Sequence, residues 1–297
     1  MFQVRVPAST ANLGSGFDCM GIALKLYNTA EFDETDKEFE VIIKDDSSAY
    51  IPKDDNNLVI KSMKLLYKKA NRKFEGVKIS SYSDIPVTRG LGSSSAGIIL
   101  GLVGANHILG DKFSKSELLQ TAYEIEGHPD NVTPALLGGF TVSVFDRGKI
   151  VYSKSEVSSN LRFAAMIPDF YLATRKSRSV LPRYVSLRNA SYNIAHASLL
   201  ACAMSKSDSS LLASCFKDKL HQRCRFPYIR SGEYIIRCAK RFGACGGYIS
   251  GAGPTIMSII DKDCKEFEYN MNKLIKNNLR NWRLVMLEAD NSGAVIE

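Results

Sequence analysis

An α/β fold of one large or two moderate units is what this sequence predicts, and three observations lead there. Strand-like and helix-like segments alternate through the first half, strands predominate after Gly139, and the chain closes on a strand, strand, helix, strand run. With 297 residues, 45% of them hydrophobic and 24% charged, the composition is that of a folded globular protein, and the length accommodates either arrangement.

Each element follows from its local pattern. Phe2-Val6, Leu24-Phe32 and Val41-Lys44 read as extended. Leu58, Met63, Leu66 and Tyr67 lay an apolar stripe on a helix from about Asn57 to Asn71. Val77 and Ile79 alternate with Lys78 and Ser80 in a strand that the Asp84-Ile85-Pro86 turn closes. The helix that follows is apolar nearly all round through Leu109, which makes it central to the core. Ser114-Lys115-Ser116-Glu117 matches a capping box and predicts a helix ending near Gly127-His128-Pro129. Strands are expected at Phe140-Phe145, Ile150-Tyr152 and Phe163-Ile167, and helices at Leu187-Met204, Ser209-Phe216 and Ile229-Phe242. The closing run is strand Cys245-Ile249, strand Thr255-Ile260, helix Cys264-Asn277 and strand Arg283-Leu287. The change of pattern places a boundary near 150–160, with no low-complexity linker to mark it.

Composition excludes several function classes. No amino-terminal stretch joins a basic segment to an apolar one, because Pro7, Asn12 and a run of glycines follow Arg5. The longest apolar stretch, Ile98 to Leu109, is interrupted by Asn106 and His107 and falls short of the roughly 20 residues of a membrane span. A soluble, cytoplasmic protein with no membrane partner is expected. Seven cysteines form an odd set without a Cys-x-x-Cys pair, which predicts buried thiols rather than a disulfide framework or a zinc site. The net charge of +8 would steer anions such as nucleotides, but the lysines are spread out rather than clustered with aromatics, so no nucleic-acid partner is expected.

The chemistry concentrates in three segments. Gly90-Leu91-Gly92-Ser93-Ser94-Ser95-Ala96, preceded by Pro86-Val87-Thr88-Arg89, joins a turn to the apolar helix. Glycines let backbone amides approach an anion, a helix amino terminus adds unpaired N–H groups, and hydroxyls bind phosphate oxygens or a cation. A Walker A loop would carry a lysine after its second glycine, where this chain has Ser93. Taken alone, the segment is equally a serine-capped glycine turn. Pro7-Ala8-Ser9-Thr10-Ala11-Asn12-Leu13-Gly14-Ser15-Gly16-Phe17-Asp18 stands near the start, and Ile249-Ser250-Gly251-Ala252-Gly253-Pro254-Thr255 near the end.

In this order and spacing, the three segments resemble the signature motifs of the GHMP small-molecule kinases. A fourth, Glu124-Ile125-Glu126-Gly127-His128-Pro129-Asp130-Asn131-Val132-Thr133-Pro134-Ala135, resembles the branch that acts on L-homoserine. The resemblance covers essentially the whole chain. It implies an amino-terminal ATP-binding domain over 1–155, similar to ribosomal protein S5 domain 2, and a ferredoxin-like carboxy-terminal domain over 156–297. It also implies ATP-dependent phosphorylation of the homoserine side-chain hydroxyl on the route to threonine, and a homodimer.

Roles follow by resemblance. The loop from Pro86 to Ala96 should wrap the ATP phosphates, with Ser94 and a carboxylate as Mg²⁺ ligands; the carboxylate is Glu124, with Glu126 as the alternative. Asn57 is placed in the adenine pocket. Asn12, Asp18, His128, Asn131, Thr174, Arg178, Arg225 and Gly251 are placed at the substrate, Arg223 competing with Arg225. An amino-acid substrate needs a carboxylate for its ammonium and a guanidinium fork for its carboxylate, for which Asp18 and the arginines are suited. Asn131 occupies a position where other members carry an aspartate base, and an amide cannot act as a base near neutral pH. Orientation and Mg²⁺ are therefore expected to carry catalysis, with Asp130 left as the possible base. His107, His196 and His221 are read as structural.

Overall fold

The computed structural model describes residues 1–206 and 208–297. The chain opens with strands β1 (Phe2–Asn12), β2 (Gly16–Glu34) and β3 (Phe39–Ile43), helix α1 (Leu58–Lys69) and strand β4 (Val77–Ser83). Helices α2 (Ser93–Ile108), α3 (Lys115–Glu126) and α4 (Pro129–Leu137) follow, then strands β5 (Phe140–Asp146), β6 (Lys149–Ser155) and β7 (Leu161–Pro168). Next come α5 (Thr174–Ser179), α6 (Leu187–Lys206), α7 (Ser209–Cys215), α8 (Gln222–Arg225) and α9 (Gly232–Arg241). The chain ends with β8 (Gly246–Ile249), β9 (Ile256–Asp261), α10 (Glu266–Asn278), β10 (Trp282–Leu287) and β11 (Val295–Ile296).

Two sheets organise these elements. The first runs β11-β1-β2-β4-β3, with β5 paired to β2 and β6 to β5. Its β1–β2 ladder slips register at Pro7/Ala8 and at Ala11/Asn12, and such irregularities re-aim side chains. The second sheet has the order β10-β7-β9-β8, antiparallel throughout, from a β-α-β-β-α-β run in the chain, which is the ferredoxin-like arrangement. Strand β6 ends the first sheet's continuous run at Ser155 and β7 opens the second at Leu161, but β11 returns to pair with β1, so both sheets contain residues from the last third.

Strand β7 explains how the sheets share a core. Phe163, Ala165 and Ile167 face one buried cluster, which extends to Val4 and Phe32 of the first sheet, whereas Ala164 and Met166 face the cluster under α9 and α10. Alternate residues of a strand point to opposite faces, so a strand covered on both sides reads as a continuous apolar run. Helix α2 is likewise surrounded, packing on α1, α3, α4 and β1. Burying a side chain such as its Ile98 or Leu102 contributes about 1.5–3 kcal/mol.

The capping box is present, Ser114 accepting from Glu117 N while Glu117 accepts from Ser114 N, and α3 stops at Gly127, which has φ 84°. Helix α4 has no counterpart in the sequence reading: it is short, begins on Pro129 and contains Pro134, and every residue of it is buried. The cysteines also depart from expectation. All seven are free, but Cys202 is exposed and Cys19, Cys224, Cys245 and Cys264 are only partly covered. Among the described residues no helix is long and apolar enough to cross a membrane.

Candidate active site

A cavity of about 310 Å³ opens where the irregular end of β1, the amino terminus of α2, the α3–α4 junction and α5 meet. The first motif builds one wall with backbone in the left-handed region at Asn12 (φ 71°), Leu13 (φ 42°) and Asp18 (φ 56°), which asparagine and aspartate tolerate better than most residues. Asn12 Oδ1 accepts from Asp18 N at 2.9 Å, and its Nδ2 donates to Gly251 O at 2.7 Å, so one side chain ties the first motif to the third.

The glycine-serine loop is clamped by that third motif. Gly90 has φ +76°, and Ser250 Oγ donates to its carbonyl at 2.6 Å. A Cβ at Gly90 would stand 2.4 Å from Ser250 O and 2.8 Å from Gly253 O. Gly90→Ala should therefore destabilise the fold by roughly 2 kcal/mol or more and raise the KM for ATP; an unchanged melting temperature would mean that the loop reshapes freely. Gly92 caps α2 without a side-chain acceptor, leaving the first-turn amides of Ser93, Ser94 and Ser95 outside the helix's own hydrogen bonding. Positive dipole and N–H donors thus meet at the cavity wall.

The carboxylate beside the loop serines is Glu126. Its Oε2 accepts from Ser94 Oγ at 2.9 Å and its Oε1 from Ser95 Oγ at 3.0 Å. Glu124 does not reach the loop; it pairs with Lys69 at 2.7 Å on the surface. Residues two apart on a helix point about 200° apart, so α3 cannot aim both glutamates at one place. The expected neighbour of Ser94, Glu124, therefore stands away from the loop, and the alternative, Glu126, stands beside it.

Beyond Glu126, His128 Nδ1 donates to Asp130 Oδ1 at 2.6 Å, and Asn131 Nδ2 donates to the same oxygen at 3.3 Å. Asn131 Oδ1 accepts from Ser9 Oγ at 2.9 Å. Burial opposes a charge on His128, but the hydrogen bond to Asp130 and the fields of Asp130 and Glu126 outweigh it, holding the imidazole pKa above its ordinary value.

The far wall is cationic. Arg178 forms a two-pronged pair with Asp18, Nη1 to Oδ2 at 3.0 Å and Nη2 to Oδ1 at 2.9 Å. Helix α5, which carries Thr174 and Arg178, is held by Ser177 Oγ donating to Ala252 O at 2.7 Å. Arg225 is 1% exposed and has no carboxylate partner among the described residues. Burial, then the like charge of Arg178, pushes its pKa down to about 10, so it stays charged at neutral pH. Arg223 is exposed on the other side of the same turn, which leaves Arg225 at the cavity.

Other expected residues have different employment. Asn57 lines the cavity, but its Oδ1 caps α1 by accepting from Val59 N at 2.8 Å and its Nδ2 donates to Pro52 O at 2.7 Å, so its polar atoms are spent on the fold. Pro86 lines a neighbouring cavity, and Leu91 and Ala96 are buried in the core. Arg89 turns its guanidinium to the carbonyls of Pro168 (3.1 Å) and Asp169 (2.6 Å), bridging the loop to the second sheet. The apolar end of the cavity carries no sequence signal: Tyr50, Ile51, Pro52, Leu58, Val59 and Tyr82 come from three separate segments with no shared pattern.

Residues 57–139 match the model of the GHMP kinases N terminal domain, and residues 200–276 that of the GHMP kinases C terminal domain. The chain belongs to the GHMP kinase family. Among its GHMP relatives, the homoserine kinase of Caldicellulosiruptor saccharolyticus is 44% identical over 100% of this chain and 96% of its own length. A homoserine kinase of Clostridium botulinum (strain Alaska E43 / Type E3) is also 44% identical, over 100% of this chain and 98% of its own. The crystal structure of homoserine kinase from Cytophaga hutchinsonii superposes with a TM-score of 0.90 at 26% identity, covering 100% of this chain and 97% of that one. The GHMP fold extends to the mevalonate kinase of Methanococcus jannaschii, with a TM-score of 0.70 at 13% identity.

Proposed function

We propose that this GHMP kinase transfers the γ-phosphoryl group of ATP to the side-chain hydroxyl of L-homoserine, giving O-phospho-L-homoserine for threonine biosynthesis. One observation carries the substrate class: Asp18, Arg178 and Arg225 stand together at the end of a cavity whose other wall is the glycine-serine loop. A zwitterionic amino acid satisfies both signs of charge there, whereas mevalonate and neutral sugars bring no ammonium for Asp18. The naming of the 44% identical relatives supports the same substrate.

Phosphoryl transfer needs positioning and neutralisation of charge more than covalent chemistry. The oxygen-only set of Ser94 Oγ and the Glu126 carboxylate fits Mg²⁺, which takes few protein ligands and keeps waters. When bound, the ion neutralises charge on the phosphates. The free amides at the start of α2 hold phosphate oxygens. Asn131, fixed by Ser9 and Asp130, orients the substrate hydroxyl, and His128 adds a donor beside it. Two units, 1–155 and 156–297, and a cytoplasmic homodimer complete the proposal on family resemblance.

Incubating the purified protein with Mg-ATP and L-homoserine, mevalonate, galactose or shikimate, and following ADP, tests it. Homoserine-dependent ADP is expected. ADP release driven by one of the other acceptors, or by none, overturns the assignment.

A further inference from the structure

From sequence alone His221 reads as structural, yet its contacts lead to the substrate wall. It stands four residues before Arg225, on the same helical face. Its side chain is 1% exposed and its ring lies 5.0 Å from that of Phe17. Nε2 is 2.8 Å from Gly14 O, and Nδ1 is 2.9 Å from Arg225 Nη1.

These two contacts fix the proton. A guanidinium has donors and no acceptor, so Nδ1 must present its lone pair to Arg225. The proton then sits on Nε2 and is donated to Gly14 O. A second proton on Nδ1 would set two cations against each other inside the protein.

Burial pushes the imidazole pKa below the ordinary histidine value, against the opposing field of Asp218 and with that of Arg225. Three charged groups face the ring: Asp218, whose Oδ1 is 3.9 Å from Nε2, Arg225, and the more distant Asp18. Asp218 is itself engaged, its oxygens accepting from the amides of Leu220, His221 and Gln222 and so holding the turn that carries the ring.

The consequence falls on Arg225. Its Nη1 is shared between His221 Nδ1 and Gly251 O at 3.0 Å, and its Nε reaches Ser177 O at 3.4 Å. Nη2 has no protein acceptor among the described residues, and Arg225 lines the cavity. Through Gly14, the same imidazole grips the turn that leads into β2 and Asp18. We propose that His221, as the neutral Nε2–H tautomer, is a positioning residue that aims the free edge of Arg225 at the carboxylate of the substrate. This inference rests on the homoserine reading above.

Two substitutions separate the halves of the contact. Glutamine reaches to the place of Nε2 and keeps the bond to Gly14 but offers Arg225 no lone pair at Nδ1; asparagine places its oxygen at Nδ1 and keeps the bond to Arg225. His221→Gln should raise the KM for L-homoserine about tenfold or more, as expected for a hydrogen bond to a charged group, with kcat and the KM for ATP nearly unchanged. His221→Asn should lie much nearer to wild type.

His221→Gln should also narrow the preference for L-homoserine over 3-aminopropan-1-ol, which lacks the carboxylate. A general structural defect would weaken both acceptors alike and leave that preference intact, overturning the proposal, as would equal effects of the two variants. Nitrogen-15 NMR of histidine-labelled wild-type protein tests the tautomer without any substrate. A neutral Nε2–H ring at His221 is expected at pH 7, and an Nδ1–H or doubly protonated ring overturns the proposal even if the variants do not fold. Wild-type protein inactive on homoserine, with the tautomer as expected, would fail the functional reading instead.

Discussion

Glu126→Gln should lower kcat at saturating ATP and L-homoserine by about a hundredfold or more, while Glu124→Gln should leave it within about twofold. The two glutamates are two residues apart in one helix, and resemblance alone favoured the first. Glu126 is 14% exposed and already gathers the hydroxyls of Ser94 and Ser95. Glutamine has nearly the same shape, keeps an oxygen for one serine and offers an amide N–H to the hydroxyl of the other, so the loss falls chiefly on the negative charge, which is what a hard cation requires. Glu124 is 42% exposed and bonded to Lys69; exposed pairs of this kind contribute about 0–1 kcal/mol. The measurement is kcat across a Mg²⁺ titration, with Glu126→Gln expected to need more metal. The opposite ranking of the two variants would return the metal site to Glu124.

How far the sequence foretold this depends on the range of the interaction. The Ser114 capping box and the apolar face that nearly encircles α2 are local, and both are where their pattern puts them. Asn57 looked like a pocket residue and is first a helix cap, because one position can serve both and the sequence does not separate them. The choice between Glu124 and Glu126 turns on where α3 stops, a matter of one half-turn of helix set by Gly127. Strand β11 and the pairing of Asp18 with Arg178 join residues far apart in the chain, and no periodicity encodes such partners. His221 needed the fold for a different reason: its role lies in which atom of its ring faces Arg225, and only packing decides that.

The second large effect is expected at Asp18. Asp18→Asn keeps a side chain that tolerates φ 56° and leaves the backbone bond from Asp18 N to Asn12 in place, so the wall should hold its shape. What disappears is the carboxylate that Arg178 pairs with, and with it the proposed anchor for the substrate ammonium. Losing a hydrogen-bonded charge pair of about 2–3 kcal/mol corresponds to a rise in the KM for L-homoserine of roughly 30- to 160-fold. The KM for ATP should stay within about twofold, because the phosphate loop contacts the third motif rather than Asp18. Arg178 and Arg225 still offer two guanidinium groups to a carboxylate. The variant should therefore discriminate less between L-homoserine and 4-hydroxybutanoate, which lacks the ammonium. Equal rises in the KM for both acceptors and for ATP would make Asp18 a brace for the wall. A narrowed preference with unchanged ATP binding would place the ammonium at its carboxylate and leave the carboxylate end of the substrate to the two arginines.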